Sequence, residues 1–172
     1  PYHSKNKFKQ KNTQIIEGRC QSYGKNTPYH TFIDIFKRVL GIDSDDTKET
    51  VSSKLSLGIA LLIGEDKDKL SDEAKGGITL IARLFDIDLS SQLGLSFSEM
   101  SAQEIHAATV RAIGWFFAAI SRQKATILSI EDLHNADNST IETISGLISV
   151  SKNYPVMLLL MVRPEKSSPA YK

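Results

Sequence analysis

The sequence predicts an α/β fold built around a parallel β-sheet. Two short apolar runs, 125–130 and 155–162, have the length and composition of buried strands. The segment between them is long enough to form a helix, and a strand–helix–strand unit of this size favours a right-handed parallel crossover. One more strand is predicted early in the chain, before a long stretch from 31 to 123 that has mainly helical spacing.

Length and composition indicate one domain with a substantial core. The chain has 172 residues, and 41% of them are hydrophobic. Lys and Arg number 21 against 20 Asp and Glu, so the net charge of +1 gives no support for binding to nucleic acid or to a membrane surface. No apolar run reaches the roughly 20 residues that a membrane span needs. The single Cys20 cannot form an internal disulfide, which suits a reducing, cytoplasmic compartment.

The first element is a short strand predicted over 14–17, after a polar lead-in that covers residues 1–13. The lead-in carries four lysines, and a solvated, disordered chain end is favoured over a phosphate-binding patch; the lysines are Lys5, Lys7, Lys9 and Lys11. A loop rich in Gly, Asn and Pro follows from 18 to 28. Because the chain starts on Pro1 and not on Met, we expect it to be an excerpt of a longer protein.

Two helices are predicted next. The first covers 31–40 and ends at Gly41, which can adopt the left-handed conformation of a C-terminal cap. The second covers 51–63, with Asp46 or Thr47 as its N-terminal cap and Gly64 just beyond its end.

Two further helices complete the helical region. One opens at Ser71, although the pair Gly76-Gly77 weakens it. Residues 86–98 are expected to form a loop. Ser101 and Glu104 have the spacing of a capping box, in which each side chain bonds the other residue's backbone amide, and the helix they open should run to about 122. Its aromatic cluster at 115–117 is predicted to be core and not a base-stacking platform.

The last part of the chain is predicted as strand, helix, strand. Strand 125–130 is followed by a helix that Asn138 or Ser139 caps and that ends near Lys152. The run 155–162 then forms a second wholly buried strand, and residues 166–172 are a tail.

Two adjacent carboxylates, Glu131 and Asp132, follow the first of these buried strands. Ligands in open α/β sheets bind at the carboxyl ends of strands, and Mg²⁺ prefers carboxylate and water oxygens. Glu131 could hold a hydrated Mg²⁺, and Asp132 could orient or deprotonate an attacking water. The alternative is a strand that simply ends in polar residues.

The second buried strand ends in Arg163-Pro164. If the two strands are parallel, Arg163 lies at the same edge as the two carboxylates. There it could contact a terminal phosphate and report whether that phosphate is present. The alternative is that Arg163 only pairs with an edge carboxylate.

These residues resemble a known family. The EDLHNAD segment at 131–137, with the apolar run before it, is similar to the EDLHWAD signature of AAA-type ATPase modules, which also follows a hydrophobic run. These modules belong to the STAND class, the P-loop ATPases of large signalling proteins. The segment 17–29 is similar to the family's EGRC, YG and PY positions, and 158–164 to its strand ending in RP. The resemblance spans 14–165 and implies a partial ATPase domain with a parallel-sheet P-loop NTPase fold. In that fold the helices at about 31–123 form an excursion between the second and third strands of the parent domain.

The resemblance also implies roles for particular residues. Glu131 matches the Mg²⁺-associated acid, Asp132 the acid that supports catalytic hydrolysis, and Arg163 the phosphate-sensing arginine, with ATP and Mg²⁺ as cofactors of the intact parent. His134 and Asp137 match signature positions with a structural or supporting role. Asn135 stands where the family usually has Trp, which weakens the expectation of hydrolysis.

The family's phosphate-binding loop, G-x-x-x-x-G-K-[ST], does not occur in this sequence. The nearest approach is 18–26, where five residues instead of four separate Gly18 from Gly24-Lys25 and Asn26 follows; it is interpreted as a surface loop. In the family the phosphate-binding loop lies upstream of the EGRC segment. We therefore expect this chain alone not to hydrolyse ATP.

Two main functions remain open from the sequence, and a DNA-linked regulator is a third, weaker possibility that the near-zero net charge does not support. The first is part of an ATP-driven signalling switch, whose partners would be a nucleotide and other domains of the same polypeptide, such as cyclase, kinase or repeat domains. The second is a degenerate, non-hydrolysing scaffold or regulatory module. A nucleic-acid or membrane partner is not expected.

Overall fold

A computed structural model describes residues 12–163. Three strands form one parallel sheet, in the order β1 (Thr13–Arg19), β2 (Ala125–Glu131), β3 (Val156–Leu160). The predicted α/β class with a parallel sheet is confirmed. The tail prediction lies outside the described residues, and so does nearly all of the lead-in, although β1 already begins at Thr13.

Strand β2 is the centre of the described sheet, and both neighbours pair with it in continuous register. The pairing with β3 extends beyond the end of that strand. Met161 N donates to the Ile130 carbonyl at 2.9 Å, and Leu133 N donates to the Met161 carbonyl at 3.0 Å. The carboxyl ends of the three strands therefore meet at one edge of the sheet, which we call the carboxyl edge.

Six α-helices connect the described strands. Five lie between β1 and β2, and the sixth lies between β2 and β3; they are α1 (His30–Leu40), α2 (Lys48–Ile63), α3 (Asp72–Arg83), α4 (Ser90–Leu93), α5 (Ala102–Gln123) and α6 (Asn138–Ser151). Gly41 and Gly64 end α1 and α2 with φ of 63° and 79°, as their positions predict. No helix in the described part of the chain has the length and apolarity to cross a membrane.

The predicted helix starts are confirmed at three places. Thr47 caps α2, and Ser71 caps α3 by accepting a bond from the Ala74 amide. Ser101 and Glu104 form the complete capping box at the start of α5. These signals lie within a few residues of the amides they satisfy, so tertiary structure does not disturb them.

Three predictions need correction. The loop 86–98 contains the short helix α4. The N-terminal cap of α6 is Asp137, not Asn138 or Ser139, because the Asp137 carboxylate accepts the Thr140 amide at 2.9 Å. Strand β3 is not wholly buried, since Met157 is 59% and Leu159 is 46% exposed.

The two faces of the sheet are covered unequally. One face packs against α1, α5 and α6 and buries residues such as Leu128 and Ile130. Phe116 and Phe117 of α5 are fully buried, as predicted for the core. The other face, which we call the open face, carries Ile15, Ile127 and Met157 side by side. Ile15 is 41% exposed, so apolar side chains of this face reach solvent within residues 12–163.

Candidate functional site

The central strand ends in a constrained turn at the carboxyl edge. Glu131 is the last residue of β2, and Asp132 follows with a left-handed backbone at φ 54°. Asp tolerates this conformation better than most residues with a Cβ. The turn is fixed on both sides, because Leu133 N donates to Met161 and Asn135 N donates to the Asp132 carbonyl at 2.9 Å.

The Asp132 carboxylate lies between two arginines. Arg19 Nε donates to Asp132 Oδ2 at 2.8 Å, and Arg163 Nε lies 3.8 Å from Asp132 Oδ1. The Asp132 side chain is 19% exposed, whereas those of Arg19 and Arg163 are 60% and 70% exposed. The predicted neighbours Asp132 and Arg163 therefore do meet, and the contact with Arg163 is an ion pair without a direct hydrogen bond at this distance.

Glu131 lies at the same edge but apart from this cluster. Its side chain is exposed, and it makes no ion pair with any residue from 12 to 163. Its backbone is fixed, because the Cys20 amide donates to the Glu131 carbonyl at 2.9 Å. The predicted three-residue site is thus assembled as one contacting pair, Asp132 and Arg163, with a separate solvent-facing carboxylate beside it.

The chemistry of this edge suits Mg²⁺ only at Glu131. No group of three or more His, Cys, Asp or Glu side chains within the described ranges could hold a metal. Mg²⁺ needs fewer protein ligands than that, because it keeps several waters and is completed by phosphate oxygens. The exposed Glu131 carboxylate fits such a role, whereas guanidinium groups compete for the Asp132 oxygens.

Asp137 lies just after the turn at the carboxyl edge and accepts three hydrogen bonds. Its Oδ1 accepts the Tyr29 amide at 3.0 Å and the Thr140 amide at 2.9 Å, and its Oδ2 accepts the Thr140 hydroxyl at 2.6 Å. Tyr29 has a left-handed backbone at φ 60°, immediately before α1. One buried carboxylate therefore caps α6 and ties the start of α1 to the turn that follows Asp132.

The Tyr29 side chain makes a further connection that the sequence did not indicate. Its hydroxyl lies 2.5 Å from His106 Nδ1 on α5, and the other ring nitrogen of His106 contacts the Glu142 carboxylate on α6. Burial, followed by the nearby Glu142 charge, raises the pKa of Tyr29 to about 12. Tyr29 therefore stays neutral near pH 7 and acts as a hydrogen-bonding tie between three helices, beside a cleft of about 520 Å³.

Arg19 is the residue of the carboxyl edge that sequence reasoning missed. It lies in the EGRC segment, and the resemblance implies no role for the arginine of that segment. The signal that identified Arg163 applies equally to Arg19, because β1 is parallel to β2 and Arg19 is in register with Glu131. A charged residue at the end of any strand in a parallel sheet is a candidate for this edge.

The segment 18–26 does not have the geometry of a phosphate-binding loop. Residues Ser22–Gly24 form one 3-10 turn, and α1 begins only at His30. A phosphate-binding loop leads directly from a strand into a helix start, which this segment does not.

No family model, curated protein or solved structure matches this chain. A function can therefore be inferred only from the arrangement of charged residues at the carboxyl edge and from the sequence resemblance.

Proposed function

We propose that this chain is part of an ATP-binding, ATP-hydrolysing switch domain of the AAA/STAND kind in a longer signalling protein. The observation that carries the proposal is the ion pair at 3.8 Å between Asp132, which follows the central strand β2, and Arg163, which follows the adjacent parallel strand β3. An acid and a cation at the carboxyl ends of neighbouring parallel strands are placed for phosphoryl chemistry.

Each residue of this edge has a role in the proposal. The bound Mg²⁺·ATP would supply a polarised phosphate chain. Glu131, as an exposed carboxylate, would hold the hydrated metal ion. Asp132 would orient a water molecule and accept its proton, and Arg163 would contact the terminal phosphate.

The incomplete sheet supports a longer domain. Parallel sheets occur almost only with both faces covered, yet Met157 and Leu159 of β3 are exposed on the open face. In the described sheet β3 pairs with β2 alone, so its other edge has backbone groups available for a further strand. In the proposed domain, the strand that leads into the phosphate-binding loop would pair with the free edge of β3. That strand and the helix after the loop would come from the same polypeptide.

A second function is favoured by two observations. Arg19 occupies the Asp132 carboxylate at 2.8 Å, and Asn135 replaces the Trp of the family signature. A carboxylate oxygen that accepts a guanidinium N–H is not free to orient a water molecule. A non-hydrolysing regulatory module is therefore the competing proposal.

Nucleotide binding and turnover by the longer protein separate the two functions. We expect the wild type to bind Mg²⁺·ATP and release phosphate, and Asp132→Asn to keep binding while turnover falls by about 100-fold or more. Asp45→Asn, an exposed loop carboxylate, is the matched control and should leave both unchanged. Binding without turnover in the wild type would support the regulatory module, and absence of ATP binding would overturn the nucleotide proposal altogether.

A further inference from the structure

Three charged side chains from three different strands' ends converge at the carboxyl edge. Arg19 comes from β1, Asp132 follows β2, and Arg163 follows β3. The carboxylate is the least exposed of the three and lies between the two guanidiniums, so each of its oxygens faces a different arginine. We call these three residues the Arg–Asp–Arg cluster.

The two arginines have unused capacity to bind an anion. A guanidinium carries several N–H donors in a planar fork, and Nε is the atom that faces Asp132 in both arginines. Their exposed fractions of 60% and 70% leave the rest of each fork in solvent. Two guanidiniums on either side of one carboxylate are suited to phosphate oxygens, which accept such bonds in bidentate fashion.

Charge balance explains why the carboxylate is there. Two guanidiniums at one edge repel each other, and Asp132 compensates one of the two positive charges. The cluster therefore keeps one net positive charge, which favours an anion. Binding a phosphate chain to the arginines would release Asp132 from Arg19.

We propose that Arg19 and Arg163 form a clamp for the phosphate chain of a polyphosphate, and that Asp132 holds this clamp until the anion replaces it. The proposal rests on the proposed function only in taking the anion to be the nucleotide's phosphate chain. Arg19 then has two partners in turn, and Asp132 becomes available to a water molecule only when phosphate is bound. Phosphate binding to the arginines therefore frees the Asp132 carboxylate to contact a water molecule.

The test measures binding of sodium tripolyphosphate to the 172-residue chain, in metal-free buffer at low salt, by calorimetry and by NMR of the arginine Nε–H signals. We expect both Arg19 and Arg163 signals to shift. Arg19→Gln and Arg163→Gln should each weaken binding by about three- to tenfold, since each removes a solvent-screened charge-assisted contact. Arg19→Lys should recover part of the loss, because it keeps the charge without the fork.

Asp132→Asn supplies the decisive variant. Removing the competing carboxylate should tighten tripolyphosphate binding by about three- to tenfold, which an ion pair of purely structural role would not do. Arg38→Gln is the matched control, because Arg38 is also exposed and uses Nε on a backbone carbonyl within α1. The Arg38→Gln variant should bind tripolyphosphate with the same affinity as the wild type.

Three results would overturn the clamp: no binding of tripolyphosphate, a shift of the Arg163 signal alone, or an unchanged affinity in Asp132→Asn. Loss of fold in a variant is excluded by requiring an unchanged backbone NMR spectrum away from the edge. Failure of ATP turnover in the longer protein would remove the proposed function but leave the metal-free tripolyphosphate result standing. The two proposals therefore fail separately.

Discussion

At the residue scale, the Asp137 carboxylate joins two helix starts that are far apart in the sequence. It accepts two backbone amides and one hydroxyl, from Tyr29 and Thr140, and it is buried. Asp137→Ala removes a helix cap and leaves the Tyr29 amide without its acceptor. We expect the free energy of unfolding, measured by urea titration, to fall by about 2–4 kcal/mol.

Two variants calibrate this prediction. Asp137→Asn keeps an acceptor oxygen for the two amides and should lose less than half as much stability. Ser71→Ala removes a cap that satisfies one amide of α3 and should cost about 1 kcal/mol. A loss for Asp137→Ala no larger than that for Ser71→Ala would show that the bond to Tyr29 contributes nothing.

Residues of the site could be predicted where the sequence signal is local, and could not be predicted where the contact joins residues far apart in the sequence. Asp132 and Arg163 could be paired from sequence, because parallel strands end at the same edge and both residues lie just after apolar runs. The second partner of Asp132 could not be chosen among the chain's basic residues without the β1–β2 register. The bond that the Tyr29 amide donates to Asp137 spans 108 residues of sequence and has no local signal.

At the element scale, helix α3 contains two adjacent glycines in different surroundings. Gly76 has open space where a Cβ would stand, whereas a Cβ on Gly77 would overlap the indole ring of Trp115 from α5. Gly76→Ala should therefore stabilise the protein by about 0.5–1 kcal/mol, since Ala is the better helix former. Gly77→Ala should destabilise it by about 1–3 kcal/mol, because the overlap forces α3 and α5 apart.

Thermal unfolding of the two variants checks this pair directly. The substitution, the helix and the change in chain entropy are the same for both, so the difference between them reports the contact with Trp115 alone. Adding Trp115→Leu to Gly77→Ala should recover part of the stability. Equal melting temperatures for Gly76→Ala and Gly77→Ala would show that α3 does not pack closely on α5 at this point.

The elements themselves were largely predictable where their ends carry local signals. Glycine at the ends of α1 and α2 and the capping box of α5 act within one helical turn, and the structure confirms them. The burial of β3 was predicted wrongly, because an apolar run shows that a strand can be buried but not which faces are covered. Side chains of β3 alternate between the packed face and the open face.

At the scale of the whole molecule, the helices that contact the sheet leave one of its faces uncovered in the described part of the chain. The open face carries Ile15, Met157 and Leu159, with exposed fractions of 41%, 59% and 46%. Apolar side chains grouped on one face have a stronger tendency to associate than single exposed ones. The proposed longer domain would cover this face, which residues 12–163 by themselves expose to solvent.

The open face gives a prediction for the chain studied alone. We expect concentration-dependent self-association in sedimentation velocity, because burying the open face between copies removes apolar area from water at roughly 25 cal/mol per Å². Leu159→Gln should weaken that association by about tenfold or more, with the fold retained. Leu61→Gln is the matched control, since Leu61 is 77% exposed on α2 and lies outside the sheet. Equal weakening by both variants would place the association elsewhere than the sheet, and a monomer at all concentrations would mean that the exposed apolar area is too small to drive it.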